Sequence, residues 1–143
     1  MTAPADAAPL SYRGSCHCGA VRVSFETAKP LAPRACQCSF CRKHGARSVS
    51  DPDGSASIEW TLEPLRYRFA SRAADYLVCA RCGVYVGAVT GAPAGAIATL
   101  NLNAFDDPSL DLTASPVSYE GETSEQKEER RRSRWTPLRS FDL

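Results

Sequence analysis

Long apolar runs are missing from this 143-residue chain. Nowhere do about 18 apolar residues stand together, which excludes a membrane-spanning helix of ordinary length. An excess of one charge sign is missing too: 17 basic residues face 16 acidic ones, a net charge of +1. That excludes broad electrostatic attraction to nucleic acid or to an anionic membrane as the main activity. No internal repeat of 20–50 residues is present on the scale solenoids use, and the 43% hydrophobic and 23% charged content is ordinary for a globular chain. Wholesale disorder and a fibrous architecture are therefore excluded. The first ten residues carry neither a basic start nor an apolar stretch, so neither a signal peptide nor an anchor is expected there. A cytoplasmic location follows as an expectation. Finally, an even number of cysteines is missing. Seven cannot pair entirely into intramolecular disulfides, and in a reducing compartment clustered cysteines read as metal ligands first.

Residues 1–10 are rich in Ala and Pro and are expected to form a loose tail, with one domain over 11–143. Residues 20–25 alternate apolar and polar as a half-buried strand does. Further short strands are expected at 57–60, 65–69, 75–78, 84–89 and 97–103, with turns at 51–55 and 91–95. The last of these strands would put Ala98, Leu100 and Leu102 on one face and Thr99, Asn101 and Asn103 on a solvated one. Only 123–134 reads as a helix. Thr123 and Gln126 fit a capping box, acids come early and arginines late, and Glu128 and Arg132 stand four apart in the favourable order. Together these predict a mainly β fold of short antiparallel strands with a charged C-terminal helix.

The seven cysteines fall into three clusters: Cys16-His17-Cys18-Gly19, Cys36-Gln37-Cys38-Ser39-Phe40-Cys41 and Cys79-Ala80-Arg81-Cys82-Gly83. Cysteines two apart on extended chain project to one face, and cysteines three apart bridge a tight turn. Structural zinc takes four protein ligands, whereas catalytic zinc keeps three and one open position. Seven divides naturally as four plus three: Cys16, Cys18, Cys79 and Cys82 close one site, and Cys36, Cys38 and Cys41 hold a second zinc with a free position. Spacing alone also allows the middle cluster to donate to either site, or His44 to complete a purely structural one. Three thiolates on Zn²⁺ make a modest Lewis acid but suit binding an incoming thiol as thiolate. The chemistry expected is making or breaking a carbon–sulfur bond at an electrophilic carbon such as an aldehyde.

The order C-x-C-G, C-x-C-S-x-C-R, C-x-x-C-G over 14–107 resembles the glutathione-dependent formaldehyde-activating enzyme family, which includes the domain of centromere protein V. The runs Ser15-Cys16-His17-Cys18-Gly19-Ala20-Val21 and Cys36-Gln37-Cys38-Ser39-Phe40-Cys41-Arg42 carry the resemblance. Asn101-Leu102-Asn103 followed by Asp106-Asp107-Pro108 is similar to the family's late strand and turn. The resemblance implies a zinc-bound β-tent fold shared with a Rab-binding chaperone. It implies Cys16, Cys18, Cys79 and Cys82 as structural zinc ligands, and Cys36, Cys38 and Cys41 as ligands of a labile catalytic zinc. The implied activity is formation of S-hydroxymethylglutathione from formaldehyde and glutathione, a carbon–sulfur lyase run in reverse. Beyond Pro108 the chain has a charged helix and Trp135-Thr136-Pro137 in place of the extended C-terminal pattern of formaldehyde-handling members.

Among other residues, His44 is a candidate ligand or general base for the thiol, and Arg42 a candidate partner for a substrate carboxylate or the thiolates. His17 is expected to point away from the metal. Arg72 and Asp75 are expected to form a surface pair. The run Arg130-Arg131-Arg132 lies in a segment where five acids balance five bases and no aromatics are interleaved, so it reads as a solvated helix face rather than a nucleic-acid site. Trp135 and Phe141 are expected to pack the helix back onto the sheet. The functional expectation is a zinc-dependent carbon–sulfur lyase or aldehyde-activating enzyme whose partners are a small thiol, such as glutathione, and an aldehyde. The alternative is a non-catalytic zinc-stabilised module that binds a protein.

Overall fold

The fold was analysed in a computed structural model, which describes residues 8–92 and 95–141. In chain order the elements are β1 (Leu10–Ser15), β2 (Val21–Thr27), β3 (Arg34–Cys36), α1 (Ser39–His44), β4 (Ser48–Val49), β5 (Ser55–Trp60), β6 (Leu65–Tyr67), β7 (Asp75–Val78), β8 (Tyr85–Ala92) and β9 (Gly95–Asn101). A 3-10 turn (Leu102–Ala104), β10 (Ser115–Val117), α2 (Ser124–Arg134) and β11 (Thr136–Phe141) follow. The fold is mainly β with a C-terminal helix, as the alternating short segments predict. Among the described residues no helix is long and apolar enough to cross a membrane.

The strands form one continuous sheet in the order β1-β2-β5-β11-β9-β4-β3-β10, with β6-β7-β8 branching from β9. β11 joins its two halves. Thr136 and Pro137 pair antiparallel with β9, and the strand from Leu138 on runs parallel to β5 with a register irregularity between Leu138 and Ser140. Alternation in β2 turns Val21, Val23 and Phe25 inward onto Ala56 and Ile58 of β5, and Leu77, Val86, Leu100 and Leu102 complete the main core. Burying each large side chain of this kind stabilises the fold by about 1.5–3 kcal/mol.

Several elements depart from the sequence reading. Two strand pairs, β3–β10 and β5–β11, are parallel. Strand β1 begins at Leu10, opposite Thr27, so the last residue of the stretch expected as a tail is paired; residues 1–7 lie outside the described residues. Gly91 and Gly95 belong to paired strands, and residues 93–94 of the turn expected over 91–95 lie outside the described residues. Helix α1 has no periodic signal because it is less than two turns long. A cysteine caps it: the Cys38 sulfur accepts from the Cys41 amide at 3.4 Å, and Gly45 ends the helix in the left-handed region.

The strand expected to reach residue 103 stops at Asn101, which is only 3% exposed. Its side chain accepts from the Arg47 and Asn103 amides, each at 3.2 Å, and donates to the Tyr85 carbonyl at 2.9 Å. It ties three elements together and faces no solvent, because a side-chain amide can satisfy three buried backbone groups at once. Asn103 donates to the Gly45 carbonyl at 2.7 Å and accepts from the Arg47 guanidinium at 2.7 Å.

Helix α2 has the expected capping box, with Thr123 and Gln126 exchanging bonds of 2.9 and 3.1 Å, and the Glu128–Arg132 pair at 3.2 Å. Its arginine run is not a solvated face. Arg132 is exposed, Arg130 is largely enclosed against Glu122, and Arg131 is buried over Trp135. Trp135 is buried as expected and packs with Ala74, Ala88 and Ile97. Phe141 lies edge-on to Trp60 at the far end of β11 rather than under the helix. Asp75 pairs with Arg66 and Arg68, not with Arg72.

Candidate metal centres

Two loops of like construction present the first four cysteines. The Cys16 amide donates to the Val21 carbonyl at 2.9 Å, and the Cys79 amide to the Val84 carbonyl at 3.0 Å. Each loop turns through a glycine with positive φ, Gly19 at +83° and Gly83 at +81°, where a Cβ would be strained. The turns aim amides at sulfur: Val21 N–H at Cys16 Sγ (3.3 Å), and Arg81 and Cys82 N–H at Cys79 Sγ (3.4 and 3.5 Å).

The four sulfurs lie within 4.8 Å of one another. Cys16 Sγ stands 3.7 Å from Cys18 Sγ, and Cys18 Sγ 3.6 Å from Cys79 Sγ. Sulfurs about 2.3 Å from a tetrahedral zinc are separated by about 3.8 Å, so the group fits that ion. Burial pushes the Cys16 thiol up to about 11. At Cys82 burial is outweighed by hydrogen bonds from the Cys18 and Val84 backbone, which bring it down to about 6.

The second group is Cys36, Cys38 and Cys41, again with all sulfurs within 4.8 Å. Strand β3 delivers Cys36 at its end, Cys38 caps α1 and Cys41 lies in the first turn. Hydrogen bonds from Cys36 and Cys41 draw the Cys38 thiol down to about 2. Cys36 is pushed up, most by its bond to Cys38; Cys41 is pushed up by its bonds to Cys36 and Cys38, with burial adding. The three sulfurs act on one another's protons, and a divalent cation would take the place of protons among them. The structure thus divides the cysteines four and three, and resolves the pairing that spacing leaves open.

His44 is not among the groups around these sulfurs; its ring stands 4.4 Å from that of Phe40 and 5.6 Å from that of Tyr85. His17 and Arg42 are both exposed. A cleft of about 330 Å³ opens on the second group, its walls including Cys36, Cys38, Phe69, Tyr76, Tyr119 and Arg131. A narrower recess of about 50 Å³ takes in Cys36, Cys41, Arg34 and Arg131. Burial pushes the Tyr76 hydroxyl up to about 12 and holds that of Tyr85 well above its ordinary value. Burial lowers the Arg34 guanidinium; Tyr119 acts the other way, and the charges of Arg134 and Arg130 lower it further.

Sequence reasoning missed Arg34, Tyr76, Tyr119 and Arg131. The one signal for them is Trp135 four residues after Arg131, which places an aromatic ring and a guanidinium on the same helical face.

Comparison with known proteins follows the cysteines. The model of the family described as glutathione-dependent formaldehyde-activating enzyme matches residues 11–120, which hold all seven cysteines. The chain belongs to this family. Family membership supports a role related to glutathione and formaldehyde, with two cysteine groups that could hold metal ions. The match reaches past Pro108 but ends before α2 and β11. The fold is similar to a crystal structure of a Rhodobacter sphaeroides protein, at 26% identity and a TM-score of 0.53, covering 73% of this chain and 97% of that one.

Proposed function

We propose that the protein is a zinc-dependent carbon–sulfur lyase or aldehyde-activating enzyme of the S-hydroxymethylglutathione-synthase type. Cys16, Cys18, Cys79 and Cys82 hold a structural zinc with no position left open, and Cys36, Cys38 and Cys41 hold a second zinc that keeps one. The observation that carries this reading is that the three-cysteine group, which the fold does not need for its four-cysteine tie, lines a cleft. When bound there, the ion supplies a position at which a small thiol is held as thiolate at neutral pH.

The chain's own residues supply the rest. Phe69, Tyr76 and Tyr119 wall the cleft and limit water around the aldehyde carbon. The Tyr76 hydroxyl, kept protonated by burial, donates to the aldehyde oxygen. In the synthetic direction the C–S bond forms, the carbonyl π pair moves to oxygen, and that oxygen takes up a proton as the thiol gives one up. His44, whose ring packs on Phe40 and Tyr85, is proposed as an acceptor for the thiol proton.

The test is Cys41→Ser, assayed for zinc by elemental mass spectrometry and for thiol–aldehyde adduct turnover. The expected result is a fall from about two zinc ions per chain to about one, a folded domain and loss of turnover. A folded variant that keeps wild-type turnover would refute the assignment.

A further inference from the structure

Arg131 lies on a helix between two arginines that meet acids: Arg130 with Glu122 at 2.9 Å, and Arg132 with Glu128 at 3.2 Å and Glu129 at 2.5 Å. Arg131 has no carboxylate partner among the described residues, yet it is only 6% exposed. Its Nε has no hydrogen-bond partner, and its Nη2 stands 3.5 Å from Tyr76 Oη, long for such a bond. Its charge rests on the Trp135 ring, 5.0 Å from the centroid. Across the recess Arg34 donates to Ser50 Oγ at 2.6 Å and also lacks a carboxylate among the described residues. A buried cation without an anion is strongly disfavoured, and the half-buried Arg34 in the same recess adds a second positive charge. Three thiolates with one divalent ion carry about one negative charge, enough to balance one guanidinium and leave the other open.

We propose that Arg131, with Arg34, is a carboxylate subsite, and that the substrate is a thiol, or its aldehyde adduct, bearing an acid group at the end remote from sulfur. A guanidinium fork accepts a carboxylate in two parallel bonds, and Arg131 Nε–H with one Nη–H is one edge of that fork. Arg131 lies beyond residue 120, where the family match ends, so α2 adds this selectivity to the cysteine chemistry. The substrate class rests on the reading of the three-cysteine group as a thiol site.

Calorimetry on the zinc-loaded protein separates the two claims, using four probes: 3-mercaptopropionate, its neutral amide, and the S-methyl form of each. Both acids are expected to bind about tenfold or more tighter than their amides. Arg131→Met is expected to bring each acid within about twofold of its amide without changing zinc content or the affinity for 3-mercaptopropionamide. Should that variant fail to fold, Arg34→Met is expected to weaken the acids selectively, and the acid–amide comparison on the unaltered protein needs no variant. Acid and amide binding alike overturns the carboxylate subsite. If the S-methyl acid binds tightly while the free thiol adds nothing, the thiol site fails and the subsite stands.

Discussion

Cys18 Sγ and Cys79 Sγ stand 3.6 Å apart although 61 residues of chain separate them. Their contact joins the loop after β1 to the loop after β7. A metal ion held there would fasten strands that are not neighbours in the sheet, since among the described strands β1 pairs with β2, and β7 with β6 and β8.

Cys79→Ser tests that tie. Zinc content is expected to fall and the domain to lose at least about 4 kcal/mol, a drop in Tm on the order of 10 °C. Elemental analysis and thermal unfolding check it. A variant that melts like wild type would show that the four-cysteine group does not carry the fold.

Asn101→Leu removes one buried amide and leaves the Arg47 and Asn103 N–H groups and the Tyr85 carbonyl short of a partner. The expected cost is about 3 kcal/mol, read as a lower urea midpoint with an unchanged slope. Because Tyr85 packs against Cys41 and Ala46, the second cysteine group is expected to lose metal affinity as well.

Acid sensitivity is expected from Asp51, which is 4% exposed. Burial alone would raise its pKa, but the Thr27 hydroxyl at 2.5 Å, the Lys29 ammonium at 2.9 Å and the Asp53 amide at 2.9 Å outweigh it and hold the carboxyl below its ordinary value. A depressed folded pKa gives stability that is fully present above the ordinary carboxylate range and disappears as pH falls through the lowered value. Asp51→Asn should therefore cost about 2 kcal/mol at neutral pH, with the gap from wild type closing below about pH 4. Urea denaturation across that range checks it, and a gap independent of pH would count against the account.

Much of this protein was legible in one dimension. Alternation placed Val21, Val23 and Phe25 on one face because a strand's side chains alternate whatever they pack against. The capping box at Thr123 and Gln126 was readable because its bonds span three residues. The cysteine clusters were visible because ligands two or three apart need only local geometry to face one ion. What lay beyond the sequence was every relation that depends on distant chain. Short-range spacing could not decide which cluster joins which, and contact across 61 residues did. The parallel β11–β5 pairing joins segments far apart in sequence and leaves no periodic trace. Asn101 alternates with apolar neighbours and so reads as solvated, until Arg47 and Tyr85 close over it. Arg131 sits in a run of charges and reads as surface, until Trp135, Tyr76 and the recess enclose it. The local pattern states which side chains share a face. Only the fold states what that face meets, because burial is a property of the whole packed chain.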